Sequence, residues 1–351
     1  KWNNNAKNKA GVSVVIIGIQ NVSSGPKHLF FENKVLEVPN INYYLSPTKN
    51  IIVLKRSRPI SNLPIMTYGN KAVYGEPLIL STKEKQLMVN ENSNSARYIK
   101  QLIGAKEFID GRERYCIWVR DNEYDEAKKI PGLNTRFLKV AELRSESTDK
   151  GAIELAKYPY RFRDTNETKP NCNSIIIPLT TSERREYIPI GFSTESQILT
   201  NAVSVLYNTN IHLLGVLTSR MHLLWVKAVG GTLESRIRYS SSICYNTFPF
   251  PKLSKNQIEE LEKSSLRIVV EREKHTEKSM AELYDPEKMP VGLLEAHQYN
   301  DEIVEKCFRM TPFASDEERL EYLFNLYGKM IEAEQSANTL FAKQRKTRKK
   351  K

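Results

Sequence analysis

The sequence predicts an α+β protein in which a mixed α/β body is followed by an α-helical domain. Short β-branched runs alternate with turn residues and short helical patches between residues 49 and 253. From residue 254 onward the chain is rich in Glu and Lys, and its apolar residues recur at helical spacing. A chain of 351 residues is also too long for one ordinary core, so we expect two or three domains.

Residues 1–48 form the first predicted unit. The run "GVSVVIIGI" is apolar and β-branched, which predicts a buried strand over residues 12–19. The chain begins with Lys1 rather than Met, only a few residues before this strand. We therefore expect a piece of a longer protein that starts inside a domain.

The second predicted unit covers residues 49–253. Its apolar runs include "NIIVLKR", "RYCIWV" and "NSIIIPL", whereas "DEAKKI" is typical of a helix. Between residues 200 and 231 the chain consists of apolar runs broken by Asn-rich turns. The pattern there does not decide between helix and strand.

The third predicted unit, residues 254–341, is helical throughout. Ser254 and Gln257 have the spacing of a capping box, which predicts a helix start. A later helix carries a single apolar stripe, composed of Leu320, Leu323, Phe324, Tyr327, Met330 and Ile331. Residues 342–351 form a basic tail that we predict to be disordered.

Composition excludes several classes of site. No apolar run approaches the roughly 18–20 residues that a membrane span needs, so we expect no membrane partner. The four cysteines (Cys116, Cys172, Cys244 and Cys307) have neither metal-ligand spacing nor a disulfide pattern. We therefore predict free thiols in a reducing cytoplasm and no metal site.

The charge balance favours a polyanionic partner. The formal net charge is +12 at pH 7, and proteins this basic most often bind nucleic acid. Part of the excess lies in the tail "KQRKTRKKK", which leaves a moderately basic body.

Motifs for catalysis are missing from the sequence. It has no Walker sequence and no glycine-rich nucleotide-binding loop. It also has no Asn/Asp-Pro-Pro-aromatic tetrapeptide of the kind that holds a target amine. We therefore assign no catalytic residue and expect the chain to recognise a ligand rather than to transform it.

The stretch "GGTLESRIRYSSSICYNTFPFP" is the best candidate for recognition. If it is extended, Glu234, Arg236 and Arg238 share one face, because side chains alternate along a strand. A carboxylate can accept from cytosine N4, and a guanidinium can donate to guanine O6 and N7. A solvated strand face with mutual salt bridges is the alternative that this spacing leaves open.

This stretch and the preceding "TNAVSVLYNTNIHLLGVLTSRMHLLWVKAVGG" resemble the target recognition region of MmeI-like enzymes. These are DNA adenine methyltransferases that are often fused to a nuclease. "KWNNNAKNKAGVSVVIIGI" is similar to the end of their methyltransferase domain, "YIKQLIGAKEFIDGRERYCIWV" to the start of the recognition domain, and "AELYDPEKMPVGLLEAHQYNDEIVEKCF" to the C-terminal helical domain. The resemblance implies that residues 1–48 are the last strands of a Rossmann-like methyltransferase fold.

The resemblance also implies roles for individual residues. The base-specificity positions of the family fall on Glu234, Arg236, Arg238 and Ala202, and the Glu/Arg combination is similar to a reader of a C·G pair. Ala202 would leave room in the groove or touch a thymine methyl, unless it is only a packed alanine. Trp2 lies where related methyltransferases stack an aromatic ring on the flipped adenine. An exposed terminal tryptophan is the alternative.

Several further side chains are candidates for contacts to the DNA backbone, which receives half or more of protein–DNA hydrogen bonds. For each of them a solvated surface position is the alternative. They are Arg161, Arg163, Arg184, Arg185 and Ser240.

We therefore expect the recognition part of an S-adenosylmethionine-dependent DNA adenine-N6 methyltransferase that acts on double-stranded DNA in a prokaryotic cytoplasm. The chain itself would bind no cofactor, because S-adenosylmethionine would belong to an upstream methyltransferase domain of the parent protein, beside any nuclease. The first alternative is a non-enzymatic specificity subunit that serves a separate catalytic chain. The second is an RNA-binding module.

Overall fold

The computed structural model describes residues 15–21, 25–31, 34–47, 49–233 and 236–348. The predicted strand over residues 12–19 is wrong for its described part. Residues 15–20 pair with no described strand, and the side chain of Ile19 is 93% exposed. Because a strand needs a neighbour for its backbone hydrogen bonds, the β-branched pattern alone does not form one here. The chain instead continues into an antiparallel hairpin of β1 (Lys27–Phe31) and β2 (Lys34–Val38).

A first mixed layer follows the hairpin. Its sheet contains, in this order, β10 (Gln197–Leu199), β5 (Ile99–Ile103), β6 (Tyr115–Ile117) and β4 (Ile79–Leu80). Its core includes the buried side chains of Tyr98, Trp118 and Phe137. The elements of this stretch are β3 (Thr67–Tyr68), β4 (Ile79–Leu80), α1 (Thr82–Glu91), β5 (Ile99–Ile103), α2 (Ala105–Asp110), β6 (Tyr115–Ile117), α3 (Tyr124–Ala127), α4 (Pro131–Ser145) and α5 (Lys150–Leu155). The parallel strand β10 is supplied by the next stretch of the chain.

The next stretch contains two more sheets and the helices that cover them. They are built from β7 (Ser174–Pro178), β8 (Thr180–Thr181), β9 (Gly191–Ser193), β10 (Gln197–Leu199), β11 (Val203–Leu206), α6 (His212–Thr218), α7 (Arg220–Val229), β12 (Gly231–Leu233) and β13 (Arg236–Arg238). One sheet has the order β3-β11-β7-β9, and the other has the order β12-β13-β8. Apolar residues of α6 and α7, such as Leu214 and Val226, pack on Ile175 and Ile177 of β7.

The C-terminal part is helical, as the sequence predicts, so the α+β class is confirmed. It contains α8 (Lys255–Glu273), α9 (Met280–Leu283), α10 (Val291–Phe308) and α11 (Asp316–Arg348). Residues 342–348 of the basic tail, predicted to be disordered, continue α11. Trp225 of α7 packs on Phe324 and Tyr327 of α11, so the helical part shares a core with the mixed body.

Asp301 of α10 forms a polar joint between these parts. Its carboxylate accepts from the Tyr187 hydroxyl at 2.8 Å and from the Arg220 backbone N–H, at the start of α7, at 2.7 Å. Burial raises the pKa of Asp301 to about 7, although both hydrogen bonds favour the charged form. The joint therefore titrates near neutral pH.

A pH-dependent stability follows from this joint. The unfolded chain releases the Asp301 proton near pH 4, whereas the folded chain holds it until about pH 7. At this group the folded state binds more protons between these values, so the contribution of Asp301 to the free energy of unfolding falls as pH rises, by about 1.4 kcal/mol per unit at most. In urea unfolding at pH 4.5, 6 and 7.5, the stability of the wild-type protein relative to Asp301→Asn is therefore expected to fall as pH rises. The stability of the wild-type protein relative to Glu302→Gln, which changes the exposed neighbouring carboxylate, should show no such fall.

Candidate nucleic-acid interface

Strand β13 has charged side chains on one face and an apolar side chain on the other. The guanidinium side chains of Arg236 and Arg238 are exposed, whereas Ile237 between them is only 5% exposed and packs on the core under β7. Because alternate residues point to opposite faces, the two arginines share the outer face of the strand. Arg238 makes no hydrogen bond or ion pair through its side chain with the described residues. The predicted shared face is therefore present for these two residues.

The described residues on either side of residues 234 and 235 belong to two paired strands rather than to one continuous extended segment. Leu233 of β12 lies opposite Arg236, and Gly231 lies opposite Arg238, so the two strands run antiparallel. The strand that carries both arginines therefore begins at Arg236. Glu234 lies outside the described residues, as does Ser235.

Strand β13 is paired with β8 and contacts α7 through a buried residue. Arg238 lies opposite Thr180 of β8, and Ile237 lies opposite Thr181. Tyr239 follows as a buried residue, and its hydroxyl lies 3.1 Å from Nε2 of His222. Burial lowers the pKa of His222 to about 3, which keeps the ring neutral. The arginine-bearing strand is thus anchored to α7 by an uncharged, buried contact.

Ala202 is connected to β13 through the strand pairings of residues 178–180. It is exposed, and it immediately precedes β11, in which Val203 lies opposite Pro178. Two residues beyond Pro178, Thr180 lies opposite Arg238. Segment 178–180 therefore links β11, which begins directly after Ala202, to β13, which ends at Arg238.

Two of the predicted backbone contacts, Arg184 and Arg185, follow β8. Arg185 is half-buried, and its Nη1 donates to Oγ1 of Thr181 at 3.0 Å, directly beside β13. Burial lowers the pKa of its guanidinium. Arg184 is exposed and pairs with Glu287 at 2.9 Å. Since a surface ion pair of this kind contributes little, its guanidinium can exchange partners at small cost.

The other predicted contacts are already bound within the protein. Nη1 of Arg161 donates to both carboxylate oxygens of Asp121, at 3.0 and 3.1 Å, and Arg163 donates to Asp164 at 3.2 Å. Ser240 is half-buried, and its hydroxyl lies 3.1 Å from that of Ser242. Trp2 lies outside the described residues.

Arg144 of α4 is a structural residue that the sequence did not reveal. It is 0% exposed, and burial lowers the pKa of its guanidinium to about 10, which leaves it charged at neutral pH. It donates to five backbone carbonyls, those of Ala72, Val73, Leu155, Tyr158 and Arg161, at 2.8–3.3 Å. The segment of residues 72–73 and the segment of residues 155–161 are thereby held against one helix.

The remaining observations concern other classes of site. Within the described ranges, no cluster of three or more His, Cys, Asp or Glu side chains could hold a metal ion. All four cysteines are free thiols. Among the helices of the described residues, none combines the length and apolarity needed to cross a membrane.

Comparison with known proteins identifies the family of this chain. Residues 47–252 match the target recognition domain of MmeI, and residues 252–333 match its C-terminal domain. DNA methyltransferase A of Bacillus subtilis (strain 168) is 43% identical over 333 residues, which make up 95% of this chain and 38% of that protein. The structure of the type IIL restriction-modification enzyme MmeI in complex with DNA has a TM-score of 0.79 to this chain. Its sequence is 33% identical, and the match covers 89% of this chain and 42% of that one.

The chain therefore spans less than half the length of either relative. The resemblance found in its motifs is confirmed, since one domain match alone covers more than half of the residues. The chain belongs to the MmeI family, and its residues 47–333 match the target recognition domain followed by the C-terminal domain.

Proposed function

We propose that this chain reads a specific sequence of double-stranded DNA in the major groove, on behalf of an S-adenosylmethionine-dependent adenine-N6 methyltransferase. The observation that carries the proposal is β13, which presents Arg236 and Arg238 outward over a buried Ile237. The match to a target recognition domain supports the same reading.

The spacing of the two arginines suits DNA. Residues two apart on a strand are separated by about 6.6–6.8 Å. Successive base pairs rise by about 3.4 Å, so the two guanidiniums span about two steps. The major groove admits a two-stranded ribbon such as β12–β13, and a guanidinium can donate to both O6 and N7 of guanine. Arg236 would read the guanine of a C·G pair, with Glu234 accepting from the cytosine.

The neighbouring residues fit supporting roles. Arg185 and Arg184 lie beside and beyond β8, where a phosphate could replace water or the Glu287 carboxylate. Ser240 follows β13, and its hydroxyl could donate to a phosphate of the same DNA strand. Ala202 is exposed and presents a small methyl group, which suits contact with a thymine methyl. Arg161 and Arg163 would reach phosphates only by giving up carboxylate partners.

Methyl transfer itself would require residues beyond this chain. The described residues contain no glycine-rich loop between a strand and a helix that could cradle the cofactor. We place S-adenosylmethionine, the catalytic residues and any nuclease in the remainder of a longer protein. The separate-subunit alternative is not favoured, because the Bacillus subtilis relative carries the matching region within one longer polypeptide. A prokaryotic cytoplasm is the compartment that this proposal implies.

Arg236→Ala tests the proposal. We expect the variant to lose discrimination at one base pair, by about 1–3 kcal/mol, while preferences at other positions persist. The measurement is sequencing of duplexes that the protein selects from a randomised pool, at two salt concentrations. Arg97→Ala, at an exposed arginine paired with Glu126, is the control and should keep the wild-type preferences.

Two results would contradict the proposal. One is a uniform loss of binding across all sequences with Arg236→Ala, which indicates a phosphate contact. The other is tighter binding of single-stranded RNA than of duplex DNA by the wild-type protein, which indicates the RNA-binding alternative.

A further inference from the structure

The loop of residues 69–74 is fastened around Ala202. Its first two residues follow β3 and make three backbone hydrogen bonds to the turn that holds Ala202. Gly69 N–H donates to Val203 O at 3.3 Å, Asn70 N–H donates to Leu199 O at 2.6 Å, and Asn201 N–H donates to Asn70 O at 3.1 Å. The loop and Ala202 therefore form one unit.

The contact at the start of this loop leaves no space for adjustment. A Cβ on Gly69 would lie 2.3 Å from the Thr200 carbonyl oxygen, so only glycine permits the two backbones to approach this closely. Asn70 is 1% exposed, and its Nδ2 donates to the carbonyls of Leu199 and Asn166 at 3.1 and 2.9 Å. Its Oδ1 accepts from Asn166 N–H at 2.7 Å. The amide is therefore fully used.

The backbone of Lys71 is held by two hydrogen bonds, whereas its side chain is exposed. Its N–H donates to Oδ2 of Asp164 at 2.9 Å, and its carbonyl accepts from Arg163 N–H at 3.0 Å. Within the described part of the chain, its ammonium group makes no hydrogen bond or ion pair. An exposed cationic residue thus follows Asn70, which is bonded to the turn that holds Ala202, and its backbone is held by two hydrogen bonds.

The second half of the loop is held in an unfavourable conformation. Val73 and Tyr74 have φ of 48° and 51°, a region that β-branched and bulky residues rarely adopt. Arg144 donates to Ala72 O at 3.1 Å and to Val73 O at 3.0 Å, and so holds this conformation. Conformations of this kind persist only where the surrounding structure imposes them, and they concentrate at functional sites.

We propose that Lys71 is a further specificity-determining residue, and that Arg144 positions it. Nζ of Lys71 donates to a guanine O6 or N7 in the major groove, at a base pair next to the one that Ala202 faces. A phosphate contact needs only a charge on a flexible stem, whereas reading a base edge needs a fixed register. The backbone bonds of Lys71 supply that register. This inference rests on the proposed reading of duplex DNA.

Lys71→Ala is the first test. We expect it to reduce discrimination at a single base pair about tenfold, a position different from the one that Arg236→Ala affects. Duplexes selected from a randomised pool reveal both positions. Lys139→Ala, which removes an exposed lysine from α4, is the matched control and should leave all preferences unchanged. Unchanged preferences with Lys71→Ala, or an equal loss at every position, would overturn the inference.

Arg144→Lys tests the positioning role. The lysine keeps the charge but cannot serve five carbonyls, so we expect a folded protein with relaxed preference at the Lys71 base pair only. The double variant should be no more relaxed there than Lys71→Ala alone, because both changes remove one contact. Additive loss would assign Arg144 a purely structural role.

If the wild-type protein selects no sequence, the proposed function fails; if it selects one that Lys71→Ala preserves, only this inference fails.

Discussion

Arg144→Met is expected to lower the free energy of unfolding by about 3–5 kcal/mol, because buried carbonyls would lose their donor. Of the five carbonyls that Arg144 serves, those of Leu155 and Tyr158 also accept backbone N–H groups. The carbonyls of Ala72 and Val73 depend on the guanidinium, and they belong to the strained loop. Each unsatisfied buried group costs about 1–3 kcal/mol. Urea unfolding measures the loss.

A matched control lies two helical turns earlier. Arg136 of α4 donates to Pro77 O at 2.6 Å and pairs with Glu84 at 2.9 Å, but its side chain remains 23% exposed. Arg136→Met should therefore cost only about 1 kcal/mol, since water can replace the lost partners. If the two variants are equally stable, the five-carbonyl contact does not hold the loops.

Local patterns explain why the helical part was predicted well. The capping box of Ser254 and Gln257 is present at the start of α8, with both reciprocal hydrogen bonds. In α11 the predicted stripe is buried at Leu323, Phe324 and Tyr327. These features depend on residues three or four positions apart, so the sequence contains all the information that they need.

The recognition surface depends on pairing between distant segments. Alternation along the chain predicts that Arg236 and Arg238 share a face, and they do. Where the strand begins is set by β12 and β8, and residues 178–181 lie far earlier in the chain. Because register comes from these neighbours, the alternation of residues along the chain could not predict that β13 begins at Arg236.

The role of Arg144 also depends on contacts between distant segments, which the sequence does not reveal. In the sequence it is one arginine on a helix, and nothing in its spacing marks it as buried. Its acceptors are distributed between Ala72 and Arg161, so only the folded chain gathers them. The segment of residues 200–231 was likewise ambiguous, and tertiary packing resolves it into β11, α6 and α7.

Gly215→Val is the second variant with a large expected effect. A Cβ at this position of α6 would lie 2.5 Å from Oδ1 of Asn300 on α10 and 2.5 Å from Oγ of Ser265 on α8. Neither atom is free to move, because Gly215 N–H donates to Ser265 Oγ at 3.0 Å and Asn300 Nδ2 donates to Gly215 O at 2.9 Å. Overpacking together with loss of these buried bonds is expected to cost about 3 kcal/mol or more in urea unfolding.

The control and a rescue distinguish crowding from other effects. Gly231→Val introduces the same side chain where nothing lies within 4 Å of a new Cβ, and it should change stability by no more than about 0.5 kcal/mol. In a Gly215→Ala background, Ser265→Gly removes one of the two obstructing oxygens and should recover part of the loss. Because α6 leads through α7 into β12, a shifted α6 would also displace the arginine-bearing hairpin. Folded Gly215 variants should therefore lose base discrimination together with stability, whereas Arg236→Ala should lose discrimination alone.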